Sequence, residues 1–427
     1  MIEIFNCIYL TILFLFLFRL SFIDNIKENC MEIKKFTLVE KYSLNILITF
    51  IIFLFASFFE FNYLFIIYFL IFLNLFSILN IKKNFLKIKY IEDSFPIIFI
   101  LTFIISINII SNLKLEWDGH FWYLKALNFY ENYNFFNLKN ISHNTGYPHL
   151  GGFVWGLFWK VSILDNEFFG RMIFVFLYVI SILIIAENIT NKFSLKILVT
   201  LVLLFFTFDN FLFGGYQEYL LFSLIVIIFN LLNKLDLKKL NFFNLFLIIF
   251  SSYLLVWTKN EGIFYFIAIM LYIIYYQPLN KKFFLIFALI SLFLLRMYLF
   301  SKITGDYSIT RLSFDISYFD SFKFNLSDFL IEIFIISKHI IIAFFKYPIW
   351  LLIFFSLFLK KIDNSESHIK YFTFFSVIFV YSIFLNTTQD LVWHLSVTLD
   401  RVLFQLSAFY MIFLSLRLRY FCKKFYK

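Results

Sequence analysis

The sequence predicts an all-α protein, a polytopic transmembrane helical bundle of about 13 helices with extracytoplasmic juxtamembrane helices. Three observations predict it. First, 62% of the 427 residues are hydrophobic and 15% are charged, whereas soluble domains run about 45–50% apolar and about 25% charged. Second, apolar runs long enough to span a hydrocarbon core of about 30 Å recur along the whole chain. Third, Lys and Arg collect in alternate loops between those runs, as they do in cytoplasmic loops. A soluble enzyme is excluded, as are collagen-like and disordered classes, since only 10 Gly and 4 Pro occur. The 70 phenylalanines say little about chemistry, because Phe, Ile, Asn, Lys and Tyr share A/T-rich codons.

The spanning stretches run at 4–20, 44–59, 62–80, 94–112, 169–187, 195–211 and 217–233, and continue at 242–258, 262–277, 283–300, 340–359, 370–386 and 401–416. The first lacks a basic flank before it and an A-x-A site after it, so it reads as a membrane helix and not as a cleaved signal. The run over 44–80 holds two helices if Glu60 and Asn62 mark a tight turn. The loops at 19–43, 81–93, 188–196, 234–240, 278–282, 360–370 and 417–427 hold 24 of the 37 basic residues. The positive-inside rule makes these cytoplasmic, the C-terminal tail included. The net charge of +10 follows from this distribution and does not call for nucleic acid. Cys7, Cys30 and Cys422 are scattered, so neither a disulfide framework nor a metal cage is indicated.

The opposite loops, 113–168, 208–217, 258–262, 301–339 and 387–400, are then extracytoplasmic. All ten glycines lie in them or at adjoining helix ends, together with five of the six histidines; His368 is the exception. In so glycine-poor a chain, that marks the face where backbone turns tightly or approaches something closely. Residues 121–136 alternate aromatics with Lys125, Asn128 and Glu131 at helical spacing, which suits an amphipathic helix in the interface. Glu116, Asp118 and His120 stand just before it, and a carboxylate at the rim of an apolar bundle is costly unless it has a task. Asp118 also suits a helix N-cap. The segment 148–163, introduced by YPHLGG, does not fit the loop parity as a crossing and reads as a helix dipping in from the outer side. Arg171 breaks the positive-inside trend and either snorkels or meets an anionic group. The second outer loop puts Asp209 and Glu218 beside Gly214 and Gly215, and the third holds Lys259 and Glu261, spaced for a local ion pair. The fourth is acidic, with Asp306, Asp315, Asp320 and Asp328 alongside Arg311, and reads as a solvated loop ending in an interfacial helix. The fifth packs His394, Asp400 and Arg401 before the last crossing, with His394 and Arg401 on one helix face.

This order of features resembles the GT-C class of integral-membrane glycosyltransferases, of the protein O-mannosyltransferase and aminoarabinose-transferase type. The similarity lies in EWDGHFWYLKALNFY with Asp118 at the acid position, YPHLGGFVWGLFW, NEFFGRMIF, Asp209 in FTFDNFLF, and TKNEG, over roughly residues 94–277. The resemblance implies three regions: accessory helices over 1–93, a GT-C-like core over 94–300, and an outer loop with the C-terminal helices over 301–427. It implies a location in a bacterial inner (plasma) membrane and transfer of a sugar from a polyprenyl-phosphate donor to a lipid, glycan or protein acceptor. Asp118 and Asp209 would be catalytic, Asp118 as the base that takes the acceptor's proton. Asp209 or Glu218 would orient acceptor or sugar, and Arg171, Lys259 and Arg401 would face the lipid phosphate. Glu116, His120, Glu261, His394 and Asp400 complete the candidate substrate-binding set. No cofactor is expected, since no GxGxxG or P-loop occurs. No metal is expected, since the first loop lacks an Asp-x-Asp. Three rivals stand beside this reading. A flippase or transporter of lipid-linked sugar would show related halves and broken helices, an O-antigen polymerase or ligase would rely on outer arginines, and a scaffold would carry no chemistry.

Overall fold

The structure, a computed structural model, describes residues 2–19, 36–59, 61–80, 94–110, 114–132, 135, 138, 147–209, 213–238, 240–304, 326–359, 363–387 and 389–425. Among them are sixteen helices and no strand. In chain order they are α1 (Ile2–Leu17), α2 (Leu38–Ser57), α3 (Tyr63–Asn80), α4 (Ser94–Ile110), α5 (Gly119–Asn132) and α6 (Leu150–Val161). Next come α7 (Glu167–Ile189), α8 (Phe193–Thr207), α9 (Glu218–Lys234), α10 (Phe242–Thr258) and α11 (Gly262–Tyr276). The chain ends with α12 (Leu279–Thr304), α13 (Leu326–Lys346), α14 (Pro348–Leu357), α15 (Asp363–Leu385) and α16 (Leu391–Phe425). Asp306, Arg311, Asp315, Asp320, Gly146, Gly305, Cys30 and the basic loop near 81–93 lie outside the described residues.

Five helices are long and apolar enough to cross a membrane: Val39–Ser57, Glu167–Ile189, Leu279–Ile303, His368–Leu385 and Leu391–Tyr420. A sixth is gained if α13 and α14 count as one broken span. Shorter apolar helices of 10–17 residues accompany them. The α6 helix has 12 residues, about 18 Å at 1.5 Å per residue, too short for a core of about 30 Å.

The helix starts follow local chemistry. Thr37 and Glu40 form a reciprocal capping box ahead of α2. Asn241 accepts from the Asn244 N–H at the start of α10, and Asp390 from the Trp393 N–H at the start of α16. One expectation is corrected. The run 340–359 is not a single helix: it bends by 96° between α13 and α14. Pro348 is the cause, since it has no N–H to continue α13, its fixed φ suits the first position of a new helix, and it biases Tyr347 to extended backbone.

The chain divides into two compact units, residues 1–184 with 209–263, and residues 185–208 with 264–427. In the first unit, α6 lies against α5, α2, α3 and α10, α9 and α10 pair, and α1 packs on α4 and α3. The α5–α6 seam is tight, because a Cβ at Gly156 would stand 2.6 Å from the Ala126 carbonyl oxygen. Asn6 of α1 donates to the Ser162 hydroxyl (2.8 Å) and accepts from the Ile163 N–H (3.1 Å), and Ser57 at the end of α2 meets His149. The first three helices are thus built into this unit. At its other end, buried Glu40 accepts from Asn230 (3.1 Å) and pairs with Lys234 (3.0 Å). In the second unit, α16 packs on α13, α14 and α15, and α8 on α14.

Candidate functional site

Eight of the eleven candidate residues lie in the first unit, most of them on or beside the turn that leads from Asp209 into α9. Phe213 to Gln217 form its described part, with Gly215 at φ +96°, a left-handed conformation that glycine adopts without strain. The segment before α5 docks on it. The Glu116 N–H donates to the Gly214 carbonyl at 2.8 Å, and a Cβ at Gly119 would lie 2.2 Å from that same oxygen. Asp118, one residue from this contact, is half-buried, His120 is exposed, and Glu116 pairs with Lys114 at 3.3 Å.

Arg171, one turn into α7, reaches the same turn from beneath. Its guanidinium donates to the Phe213 carbonyl at 2.9 Å and to Glu167 at 2.8 Å, and lies 5.5 Å from the Trp155 ring centre. It is 2% exposed, and neither its Nε nor the second Glu167 oxygen has a hydrogen-bond partner. The turn's last residue leads into Glu218, which is fully buried and accepts from Lys259 at 2.8 Å. Lys259 also reaches Glu261 at 2.8 Å. The local pair expected from TKNEG is therefore part of a larger cluster in which one ammonium serves two carboxylates. Asp209 is exposed, with its backbone held by the Tyr219 hydroxyl.

Two buried groups beside this site were not among the candidates: Lys125, expected on the polar face of an interfacial helix, and His149. Lys125 of α5 donates to the Tyr147 carbonyl, its Nζ lying 5.4 Å from the Trp122 ring centre. Burial holds its ammonium well below the ordinary value. His149, just ahead of α6, meets the Ser57 hydroxyl through Nε2 at 2.6 Å among Phe58, Phe129, Phe135 and Trp257. Ser57 itself donates to the Leu54 carbonyl, so Nε2 carries the proton and Nδ1 is left a buried acceptor without a partner. The only advance signal was one histidine inside YPHLGG.

Burial, and then the Lys125 charge, hold the His149 imidazole well below its ordinary value of 6.5. In the unfolded chain this ring takes up a proton as pH falls through about 6.5, and in the folded chain it does not, so stability drops below that pH. The expected loss is about 1.4 kcal/mol one pH unit lower. Unfolding midpoints measured from about pH 7.5 to about pH 5.5 should therefore fall more steeply in the wild type than in His149→Gln. Parallel curves for the two proteins would refute the assignment.

No family model, curated protein or solved structure matches this chain. The site is read from its own geometry.

His394, Asp400 and Arg401 belong to the second unit, all on α16. His394 lies against Phe384, with ring centres 5.2 Å apart, and its N–H donates to the Asp390 carbonyl. Asp400 accepts from Lys346 at 3.1 Å and from the Tyr347 hydroxyl, at the bend between α13 and α14. Arg401 is half-buried. Among the described residues, no group of three or more His, Cys, Asp or Glu side chains is arranged to hold a metal ion.

Proposed function

We propose that this chain is a membrane glycosyltransferase of GT-C type. It transfers a sugar from a polyprenyl-phosphate donor to a lipid, glycan or protein acceptor at the extracytoplasmic face. The observation that carries the reading is the backbone contact between the Asp118 segment and the Gly214–Gly215 turn. One contact gathers an accessible carboxylate, a second exposed acid at Asp209, and the buried Arg171 and Lys259 clusters at one end of the unit. Asp118 takes the acceptor's proton as general base, and Asp209 orients the acceptor or sugar. Arg171, buried beneath the Phe213 carbonyl that it holds, is the cation assigned to the donor phosphate. Lys259 is flanked by two carboxylates, so its part is to hold Glu218 and Glu261 in place. His394, Asp400 and Arg401 belong to the second unit and are given no part in this assignment.

The topology proposed with this function has about 13 crossings, reached by counting the shorter apolar helices and taking α13 with α14 as one. The α5 and α6 helices do not cross. Contacts within the first unit support it. Residues read as outer meet one another, Glu116 with Gly214, Arg171 with Phe213 and Lys259 with Glu218, and Glu40 and Lys234, both read as inner, meet each other.

The test is transfer by protein reconstituted in liposomes with a labelled polyprenyl-phosphate sugar. Asp118→Asn should lower transfer by about 100-fold or more with its unfolding midpoint unchanged. Full activity in that variant refutes the base assignment. Movement of the labelled lipid between leaflets without transfer by the wild type would establish a flippase instead.

A further inference from the structure

We infer that Tyr219 is a positioning residue that fixes the main chain of Asp209; this rests on the role proposed for Asp209 above. The Tyr219 hydroxyl makes both of its available kinds of bond to one residue. It accepts from the Asp209 N–H at 2.8 Å and donates to the Asp209 carbonyl at 3.2 Å. A backbone N–H and C=O at the end of a helix need partners. The Phe208 N–H still closes on Leu204 in the last turn of α8, so Asp209 is the first residue whose amide leaves the helix. One side-chain oxygen meets both of its backbone groups, in a residue that is exposed overall.

The ring that carries the hydroxyl is enclosed. The Tyr219 ring is fully buried, stacked on Phe213 with centres 3.9 Å apart and tilted against Tyr178 at 4.5 Å. Phe213 is in turn the residue whose carbonyl takes the Arg171 guanidinium. Glu218, the preceding residue in the first turn of α9, is bound by Lys259. The clip therefore ties Asp209 to the element that also anchors the Arg171 and Lys259 clusters. A helix cap alone would not need a ring so enclosed, since water can serve an exposed backbone end. The enclosure suits a group that holds a reacting side chain to a fraction of an ångström, where a misplacement of about 1 Å costs roughly 100-fold in rate.

Tyr219→Phe removes the oxygen and keeps the stacked ring. In the reconstituted transfer assay, kcat should fall by about 10- to 100-fold with KM for the polyprenyl-phosphate sugar within about twofold. In an Asp209→Ala background the same change should cost nothing further, because a residue acting through another is non-additive with it. Equal losses from Tyr219→Phe in both backgrounds overturn the inference and leave the role of Asp209 standing. Full activity of Asp209→Ala overturns that role. The clip is also read without activity, from the rate at which Asp209→Cys reacts with a membrane-impermeant maleimide. That rate should change by several-fold on adding Tyr219→Phe, with the protein lacking the new cysteine as control. An unchanged rate refutes the positioning whatever the assay gives.

Discussion

Lys259→Met should destabilise the protein by about 3–5 kcal/mol, the cost of leaving a buried charge without its counter-ion. The Lys259 side chain is 8% exposed and stands between Glu218, at 0%, and Glu261, at 19%. Removing the ammonium strands two carboxylates, one with no access to solvent. The desolvation of that one dominates, because the half-buried Glu261 can still reach water. Neutralising the stranded group should restore part of the loss, so Lys259→Met with Glu218→Gln should be more stable than Lys259→Met alone. Glu261→Gln by itself should cost about 1 kcal/mol or less. These are read from the fraction of folded protein surviving graded heating in detergent. A Lys259→Met loss no larger than that of Glu261→Gln would show that Glu218 is not desolvated. The prediction concerns the fold and stands whatever reaction the protein performs.

Much of the fold was legible because each element carries its own local signal. The spans over 62–80, 242–258 and 262–277 coincide with α3, α10 and α11 to within two residues. The helix expected from 121 onward is α5, but Lys125, expected on its polar face, is buried beside Trp122, Ala126 and Phe129; the segment 148–163 contains α6. The bend at Tyr347–Pro348 was hidden because the run was counted through Lys346 and Pro348 on its apolar flanks, and a count of apolar residues does not register a locked φ. The candidate site divides along similar lines. Acids at helix ends stood out, since few residues in this chain are charged. Their partners did not, because the joining contacts are remote in sequence: Lys259 and Glu218 are 41 residues apart, and Arg171 and Phe213 are 42 apart. Two joins of the site, Glu116 to Gly214 and Arg171 to Phe213, run through main-chain carbonyls, and a carbonyl leaves no mark on composition. The scarce glycines were the remaining clue, marking close approach without naming what approached.

That clue leads to the second large effect, expected from Gly119→Ala. A Cβ there would lie 2.2 Å from the Gly214 carbonyl oxygen, where real contacts do not fall below 3.0 Å. The obstacle is backbone on both sides, so no side-chain rotation relieves it. Either the 114–119 segment or the 213–215 turn must shift by close to 0.8 Å, the shortfall between those distances. The turn is the poorer candidate to yield. Its Phe213 carbonyl holds Arg171, and a displacement would leave that guanidinium with fewer partners in a buried setting. The Asp118 segment should therefore move, stretching the 2.8 Å bond from the Glu116 N–H. A shift near 1 Å in Asp118, the group proposed to take the acceptor's proton, corresponds to about a 100-fold loss of transfer, against about 1–3 kcal/mol of stability for an overpacked contact. The decisive comparison is the double variant: Gly119→Ala should add little to the loss from Asp118→Asn, because both act on one carboxylate. Multiplying losses would place the damage elsewhere. Full activity of Gly119→Ala would mean that the contact does not hold Asp118 in its working position.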